Sequence, residues 1–158
     1  MPDIHAAERL IRALHTRYAR AIDDDELEQW PTLFTAAGVY RIVTRENYDG
    51  NLPLPIMSCD GRGMLADRVT GMRRINVYEP QRYSHQISAL EIAATAPGVY
   101  ACVSNFLVVR TMQAGTISLF ASGVYRDRVV IENDAALFAE RIAITDSRQV
   151  DTLLVIPL

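Results

Sequence analysis

The sequence predicts an α+β domain: N-terminal helices packed on a mainly antiparallel sheet. Three observations predict it. Apolar residues recur at helical spacing from Ile4 to Ile22, four long segments after Tyr83 have strand character, and short turn signals join those segments. At 158 residues the chain fits one domain, large enough to bury roughly 70% of its unfolded surface. No internal repeat or second domain is visible.

Asp3 is a good N-cap for the first helix, whose apolar face is Ile4, Ala7, Leu10, Ile11, Leu14, Tyr18, Ala21 and Ile22. Glu8, Arg9, Arg12, Arg17 and Arg20 form the opposite face. Asp23-Asp24-Asp25 ends this helix and can cap a short turn holding Leu27, Trp30 and Phe34, with Pro31 at its edge. Gly38 to Thr44 alternates as a strand. From Arg45 to Gly63 several Gly and Asn, with Pro53 and Pro55, predict a long ordered loop, because Tyr48, Leu52, Leu54, Ile56 and Met57 are too apolar for a solvated linker. Met64, Leu65, Val69, Met72 and Ile75 mark a third helix ending near Tyr78-Glu79-Pro80. The strands are Tyr83 to Ala93, Val99 to Met112, Ile117 to Val130 and Leu137 to Asp146, joined at Ala96-Pro97-Gly98, Gln113-Ala114-Gly115 and Glu132-Asn133-Asp134. The tail Leu153-Leu154-Val155-Ile156-Pro157-Leu158 is apolar throughout and should be packed, within the subunit or against a neighbour.

Composition excludes several roles. A net charge of -3 gives no basic field for phosphate backbones, so nucleic acid is not an expected partner. Lys is absent and the Arg residues are dispersed, a surface compatible with burial in an assembly. Cys59 and Cys102 form no framework and read as reduced thiols of a cytosolic protein. No signal peptide and no apolar run of the ~18 residues a membrane span needs is visible, so a soluble, cytoplasmic protein is expected.

Redox chemistry needs ligands that this chain lacks. A Rieske cluster requires two Cys and two His closely spaced, and neither cysteine has a nearby histidine. A mononuclear iron site needs two His and a carboxylate converging. His5 and His15 stand ten apart on one helix, and His85 lies on a distant strand. There is no dinucleotide fingerprint and no phosphate loop.

The ordered set of motifs carries a resemblance. The acidic turn Asp23 to Pro31 with its indole is followed by Arg45-Glu46-Asn47-Tyr48-Asp49-Gly50, Gly63 to Val69, and Arg82-Tyr83-Ser84-His85-Gln86-Ile87. Further on come Gly123-Val124-Tyr125-Arg126-Asp127, Glu140-Arg141 through Asp146-Ser147, and the ending Asp151 to Leu158. This run resembles the small (β) subunit of aromatic-ring-hydroxylating oxygenases, with terephthalate dioxygenase and salicylate 5-hydroxylase the nearest in pattern. The resemblance implies a cone-shaped, steroid-isomerase-like or nuclear-transport-factor-like domain in which a strongly curved sheet wraps the helices. It also implies a structural role in aromatic catabolism. Three β copies would support three α subunits, and the α subunits would carry the [2Fe-2S] Rieske cluster and mononuclear Fe(II). A reductase would feed electrons from a nicotinamide cofactor through α. This chain would hold no cofactor, no metal and no catalytic residue. Arg68, in an Asp-Arg-Val step that recurs in such subunits, could fork onto a carbonyl or carboxylate across a subunit boundary or bridge helix and loop within the chain. Tyr83, His85, Leu154, Ile156 and Leu158 are further candidates for subunit contacts; Trp30 reads as core.

The rival reading comes from the fold. Cone domains also host isomerases and dehydratases that use an acid or a His-Asp pair, with a Tyr donor, in an apolar pocket. Tyr18, Asp23, Tyr40 and His85 are the raw material for that, a desolvated Asp23 abstracting a proton next to a carbonyl. The plain structural reading makes Asp23 part of a helix-capping turn, Tyr18 and Tyr40 core residues with satisfied hydroxyls, and His85 a hydrogen-bonded core or interface imidazole. A third reading is a cone that binds a small aromatic without catalysis.

Overall fold

Asp3 starts the first helix, its carboxylate accepting the His5 N–H at 3.3 Å. Helix α1 runs Ile4–Asp23 in the computed structural model, which describes residues 3–52, 54–74, 79–149, 154 and 156–158. Its buried face is Ala7, Ile11, Leu14, His15, Tyr18, Ala21 and Ile22: His15 joins the predicted stripe, and Leu10 is only partly buried. Each large apolar side chain on that face contributes roughly 1.5–3 kcal/mol on burial. Ile4, in the first turn, is half exposed. The Asp24 N–H closes the helix onto Arg20 O at 2.9 Å, and Asp25 takes a left-handed φ of 58°. The acidic turn then leads into a 3-10 segment, Leu27–Leu33, with Leu27, Trp30 and Leu33 buried.

Strand β1 spans Phe34–Thr44, longer than the predicted Gly38–Thr44. Phe34 pairs with Phe138 and the register is regained at Val39 opposite Glu140, so Thr35 to Gly38 form an irregularity that the weak strand formers Ala36-Ala37-Gly38 disguise. The loop predicted between Arg45 and Gly63 holds two elements. Helix α2, Arg45–Asp49, is capped by the Thr44 hydroxyl, which accepts the Asn47 N–H at 3.2 Å. Strand β2, Met57–Asp60, pairs antiparallel with β1 and buries Met57 and Cys59. Neither is long enough to leave a periodic signal. Helix α3 occupies Arg62–Arg74; its expected continuation through Ile75 to Tyr78 lies outside the described residues.

Strands β3 (Gln81–Ala96), β4 (Val99–Met112), β5 (Ile117–Glu132) and β6 (Ala135–Thr145) form the predicted antiparallel run. Gly98, Gly115, Asn133 and Asp134 supply the positive φ angles of their turns. The six-stranded order is β2-β1-β6-β5-β4-β3, and β1–β6 is a parallel pair. Helix α1 touches both β6 and β3, three strands apart. Three strand spacings span ~14 Å, more than a helix reaches across a flat surface, so the sheet curls around the helix. Irregularities at Ser88/Glu91, Val108/Val109 and Arg128/Val129 sharpen that curl into the cone.

Gly123 sits where β5 passes closest to β6. A Cβ there would lie 1.9 Å from the Ile144 carbonyl oxygen and 2.9 Å from Phe106. Gly123→Ala is expected to cost about 3 kcal/mol by forcing two backbones apart, read as a fall in the urea midpoint. An unchanged midpoint would contradict that close approach.

Candidate functional site

The interior of the cone is charged at its centre. Asp127 on β5 and Arg141 on β6 face each other in register and point inward. Arg141 donates from Nε to Asp127 Oδ1 at 2.9 Å and from Nη2 to Oδ2 at 2.8 Å, with neither side chain exposed. Its guanidinium carbon lies 4.1, 3.9 and 4.1 Å from the ring centroids of Tyr18, Tyr125 and Phe138, and these π faces supplement the carboxylate. Nη2 also lies 3.0 Å from His15 Nδ1. Arg can only donate, so Nδ1 accepts and the ring proton sits on Nε2, 3.5 Å from Asp127 Oδ2. Burial, Arg141 and Arg12 together push the His15 pKa down to about 2, which keeps the ring neutral. Burial pushes the Asp127 carboxyl above its ordinary range while Arg141 pulls it back. Burial also works against the Arg141 charge, but Asp127 more than offsets it and holds the guanidinium protonated.

Beside this pair the chain inserts its own residue 158. The Tyr18 and Tyr40 hydroxyls both donate to the Leu158 backbone oxygen, Tyr40 at 3.0 Å, and the Leu158 N–H donates to Tyr40 Oη at 2.9 Å. Burial raises the pKa of both phenols, so they remain donors. Trp30 packs edge-on to Tyr40, with centroids 5.1 Å apart, and closes the other side. Edge-on and tilted contacts of this sort between rings leave Tyr18, Tyr40, Tyr125, Phe34, Phe138 and Leu158 as one filled core.

Asp23 and His85 meet at the seam between α1 and β3. Asp23 Oδ2 accepts the His85 main-chain N–H at 2.8 Å, and Oδ1 lies 2.6 Å from His85 Nδ1, which therefore carries the proton. The His85 side chain is fully buried, flanked by the rings of Tyr18 and Tyr83. The remaining nitrogen, Nε2, has no hydrogen-bond partner among the described residues. The pair has the chemistry of an oriented base and borders the cleft between α1 and β3; in this geometry it staples the helix end to the sheet edge.

The structure thus gathers Tyr18 and Tyr40 around Leu158 and joins Asp23 to His85, with Tyr18 bordering both groups. Of the residues put forward for subunit contacts, Tyr83, His85, Ile156 and Leu158 are buried inside this chain. Arg68 Nη2 donates to the half-buried Leu154 carbonyl at 3.0 Å, a bond within the chain from α3 to the tail. Leu153 and Val155 lie outside the described residues. The apolar surface is elsewhere: Leu52 and Leu54 beside α2 are 50% and 65% exposed, and Ile117 and Leu119 on β5 are 69% and 74% exposed.

Sequence reasoning missed the Arg141–Asp127–His15 cluster. Its signal was parity: Tyr125, Asp127 and Val129 alternate inward on β5, which places a carboxylate in the core that only a buried cation can match. Among the described residues no three His, Cys, Asp or Glu side chains converge to hold a metal ion. His5 is roughly 15 Å along α1 from His15, and the other two imidazoles are already engaged by Arg141 and Asp23. Cys102 is likewise a buried thiol, its pKa pushed up to about 12 by burial and then by Asp127. No helix among the described residues is long and apolar enough to cross a membrane.

Comparison with known proteins decides the family. Residues 17–152 match the family model described as the ring hydroxylating beta subunit. The chain belongs to that family. This beta subunit is 38% identical over 148 residues to the anthranilate 1,2-dioxygenase small subunit of Burkholderia cepacia, covering 94% of this chain and 92% of the relative. It is 36% identical, over 94% of this chain and 96% of the relative, to beta subunit 2 of the terminal oxygenase component of a Comamonas terephthalate 1,2-dioxygenase. A crystal structure of the beta subunit of a candidate aromatic-ring-hydroxylating dioxygenase from Novosphingobium aromaticivorans superposes with a TM-score of 0.90 at 32% identity, covering 98% of this beta subunit and 99% of the other. The beta-subunit assignment, rather than the freestanding isomerase or dehydratase, is therefore the one the comparisons support.

Proposed function

We propose that this beta subunit is the architectural, non-catalytic part of a cytoplasmic oxygenase that hydroxylates an aromatic carboxylate. The observation that carries this reading is the filled cone. Where a cone-fold enzyme would keep a pocket, this chain has the Arg141–Asp127 pair, stacked rings and Leu158. Its contribution is buried area and symmetry, holding α subunits so that one subunit's Rieske cluster lies beside its neighbour's mononuclear iron. Three β copies, three α subunits and a reductase acting through α complete the complex. An aromatic carboxylate is favoured as substrate because anthranilate and terephthalate are what the relatives' names specify; substrate contacts belong to α.

The test is reconstitution. Purified alone, the chain should be colourless, bind no stoichiometric iron and turn over no aromatic carboxylate. Co-expressed with its α partner, it should form a threefold assembly that consumes oxygen and NADH once reductase is added. Asp23→Ala and His85→Ala should leave turnover per assembled complex within about twofold, since neither side chain is assigned a chemical step. Turnover by the free chain, abolished by either substitution, would overturn the proposal in favour of a cone-fold enzyme.

A further inference from the structure

The α1 wall and the edge strand β3 enclose a cleft of about 430 Å³, running from Arg12 to Asp23 on the helix and from Ser84 to Leu90 on the strand. We infer that this cleft is a docking groove for an extended acidic segment of the oxygenase α subunit, laid along β3 and held by Arg12 and Arg20. The inference rests on the beta-subunit reading above and adds the surface through which it acts.

Three observations carry it. First, β3 is one edge of the sheet, sixteen residues long, and pairs with no strand on its far side among the described residues. An exposed edge of that length is a template for another strand, and folded proteins either blunt it or cover it. Here the blunting is partial. Asp23 takes the His85 N–H, and an irregularity with a left-handed Ala89 (φ 52°) ends the regular stretch after Ser88. Between these two devices, Ile87 has the parity of His85, so its main-chain groups face outward into the cleft. A helix beside an open edge strand is the geometry in which extended peptides add a strand to a sheet.

Second, the groove is positive in a chain whose net charge is -3. Arg12 and Arg20 line it and make no side-chain ion pair or hydrogen bond among the described residues. Elsewhere arginines are matched by carboxylates, as Arg41 is by Asp60, Arg45 by Asp146 and Arg73 by Asp25 and Glu28. Asp23 is the one acidic side chain lining the cleft among the described residues, and His85 already holds it. Unpaired guanidinium groups at a groove rim select carboxylates and steer their approach.

Third, the spacing specifies the occupant. Arg12 and Arg20 are eight residues apart on one helix, roughly 12 Å at the α-helical rise. An extended chain covers that distance in about four residues, and side chains four apart in a strand point the same way. The matching segment therefore carries Asp or Glu at positions i and i+4 of a stretch with strand propensity. Small side chains along the floor, Ala19, Ser84 and Ser88, leave room for a main chain to approach.

The test uses the co-expressed α and β subunits. Arg12→Glu with Arg20→Glu should keep the far-UV spectrum and thermal midpoint of the free chain but weaken capture of α roughly tenfold or more. Arg9→Glu with Arg17→Glu makes the same charge change on the same helix outside the cleft and should leave capture as in wild type. Raised salt should weaken the wild-type complex more than it weakens the Arg12/Arg20 variant. If the Arg12/Arg20 variant assembles normally, or if both double variants fail equally, the groove is not the docking surface, whatever the beta-subunit reading. If wild type itself never captures α, that reading fails first. An aromatic carboxylate that raises the thermal midpoint of the free wild-type chain, with assembly intact in the variant, would make the cleft a small-anion site and overturn the docking proposal.

Discussion

Replacing Asp127 with Ala is expected to cost about 3–5 kcal/mol, a large share of the 5–15 kcal/mol that stabilises a typical domain. The reason is the guanidinium left behind. Arg141 is fully buried, and Asp127 supplies both of its carboxylate hydrogen bonds. The rings of Tyr18, Tyr125 and Phe138 and the His15 nitrogen remain, but none carries a full negative charge. The double variant Asp127→Leu with Arg141→Leu removes both charges and should be less damaging than Asp127→Ala alone. Urea unfolding followed by circular dichroism measures both. A loss under ~1 kcal/mol for Asp127→Ala would mean that the pair is solvated, contrary to the burial seen here.

Acid should unfold this chain through His15 well before the bulk of its carboxylates titrate. In the unfolded chain the imidazole takes a proton near pH 6.5, whereas in the folded chain its pKa is down to about 2. The unfolded state therefore binds the extra proton throughout that window. The His15 contribution is complete above pH 6.5 and is lost progressively as the pH falls toward 2. The slope approaches about 1.4 kcal/mol per pH unit. Two units below the unfolded pKa the loss is roughly 2.7 kcal/mol. His15→Asn keeps an acceptor for Arg141 without the titration. It should be less stable at pH 7 yet show a flatter decline between pH 6.5 and 4.5. Parallel stability curves for the two proteins would show that His15 accepts a proton in place and that the interior rearranges to hold it.

The elements most legible in the sequence were those whose signal is local. The α1 stripe from Ala7 to Ile22 and the four long strands appear almost where periodicity placed them. Helix α2 and strand β2 escaped because five and four residues are too few to establish a period. What fixes them is the Thr44 cap and the pairing of β2 with β1. The parallel β1–β6 pair was out of reach for a different reason, since nothing near Tyr40 signals that Arg141 will lie beside it. At the site, the residue types were readable and their grouping was not. Asp23 looked like a cap, and it ends α1 while also reaching His85 across 62 residues. Tyr18 and Tyr40 looked like core, and their hydroxyl partner proved to be Leu158. Arg141 could be told from the fifteen other arginines only by the inward parity of β6, which the irregularity at Arg128/Val129 obscures.

The parallel pairing of β1 with β6 also governs how this chain can be made. Tyr40 finds Arg141, and Thr44 finds Thr145, each 101 residues downstream. During synthesis the first strand leaves the ribosome long before its neighbour exists, with only the short β2 to pair against. Closure across so long a span is entropically slow, and until it occurs one flank of β1 is open to other nascent chains. Translation of β6 is therefore the step that commits the polypeptide to its native state, and chaperone protection matters most before it.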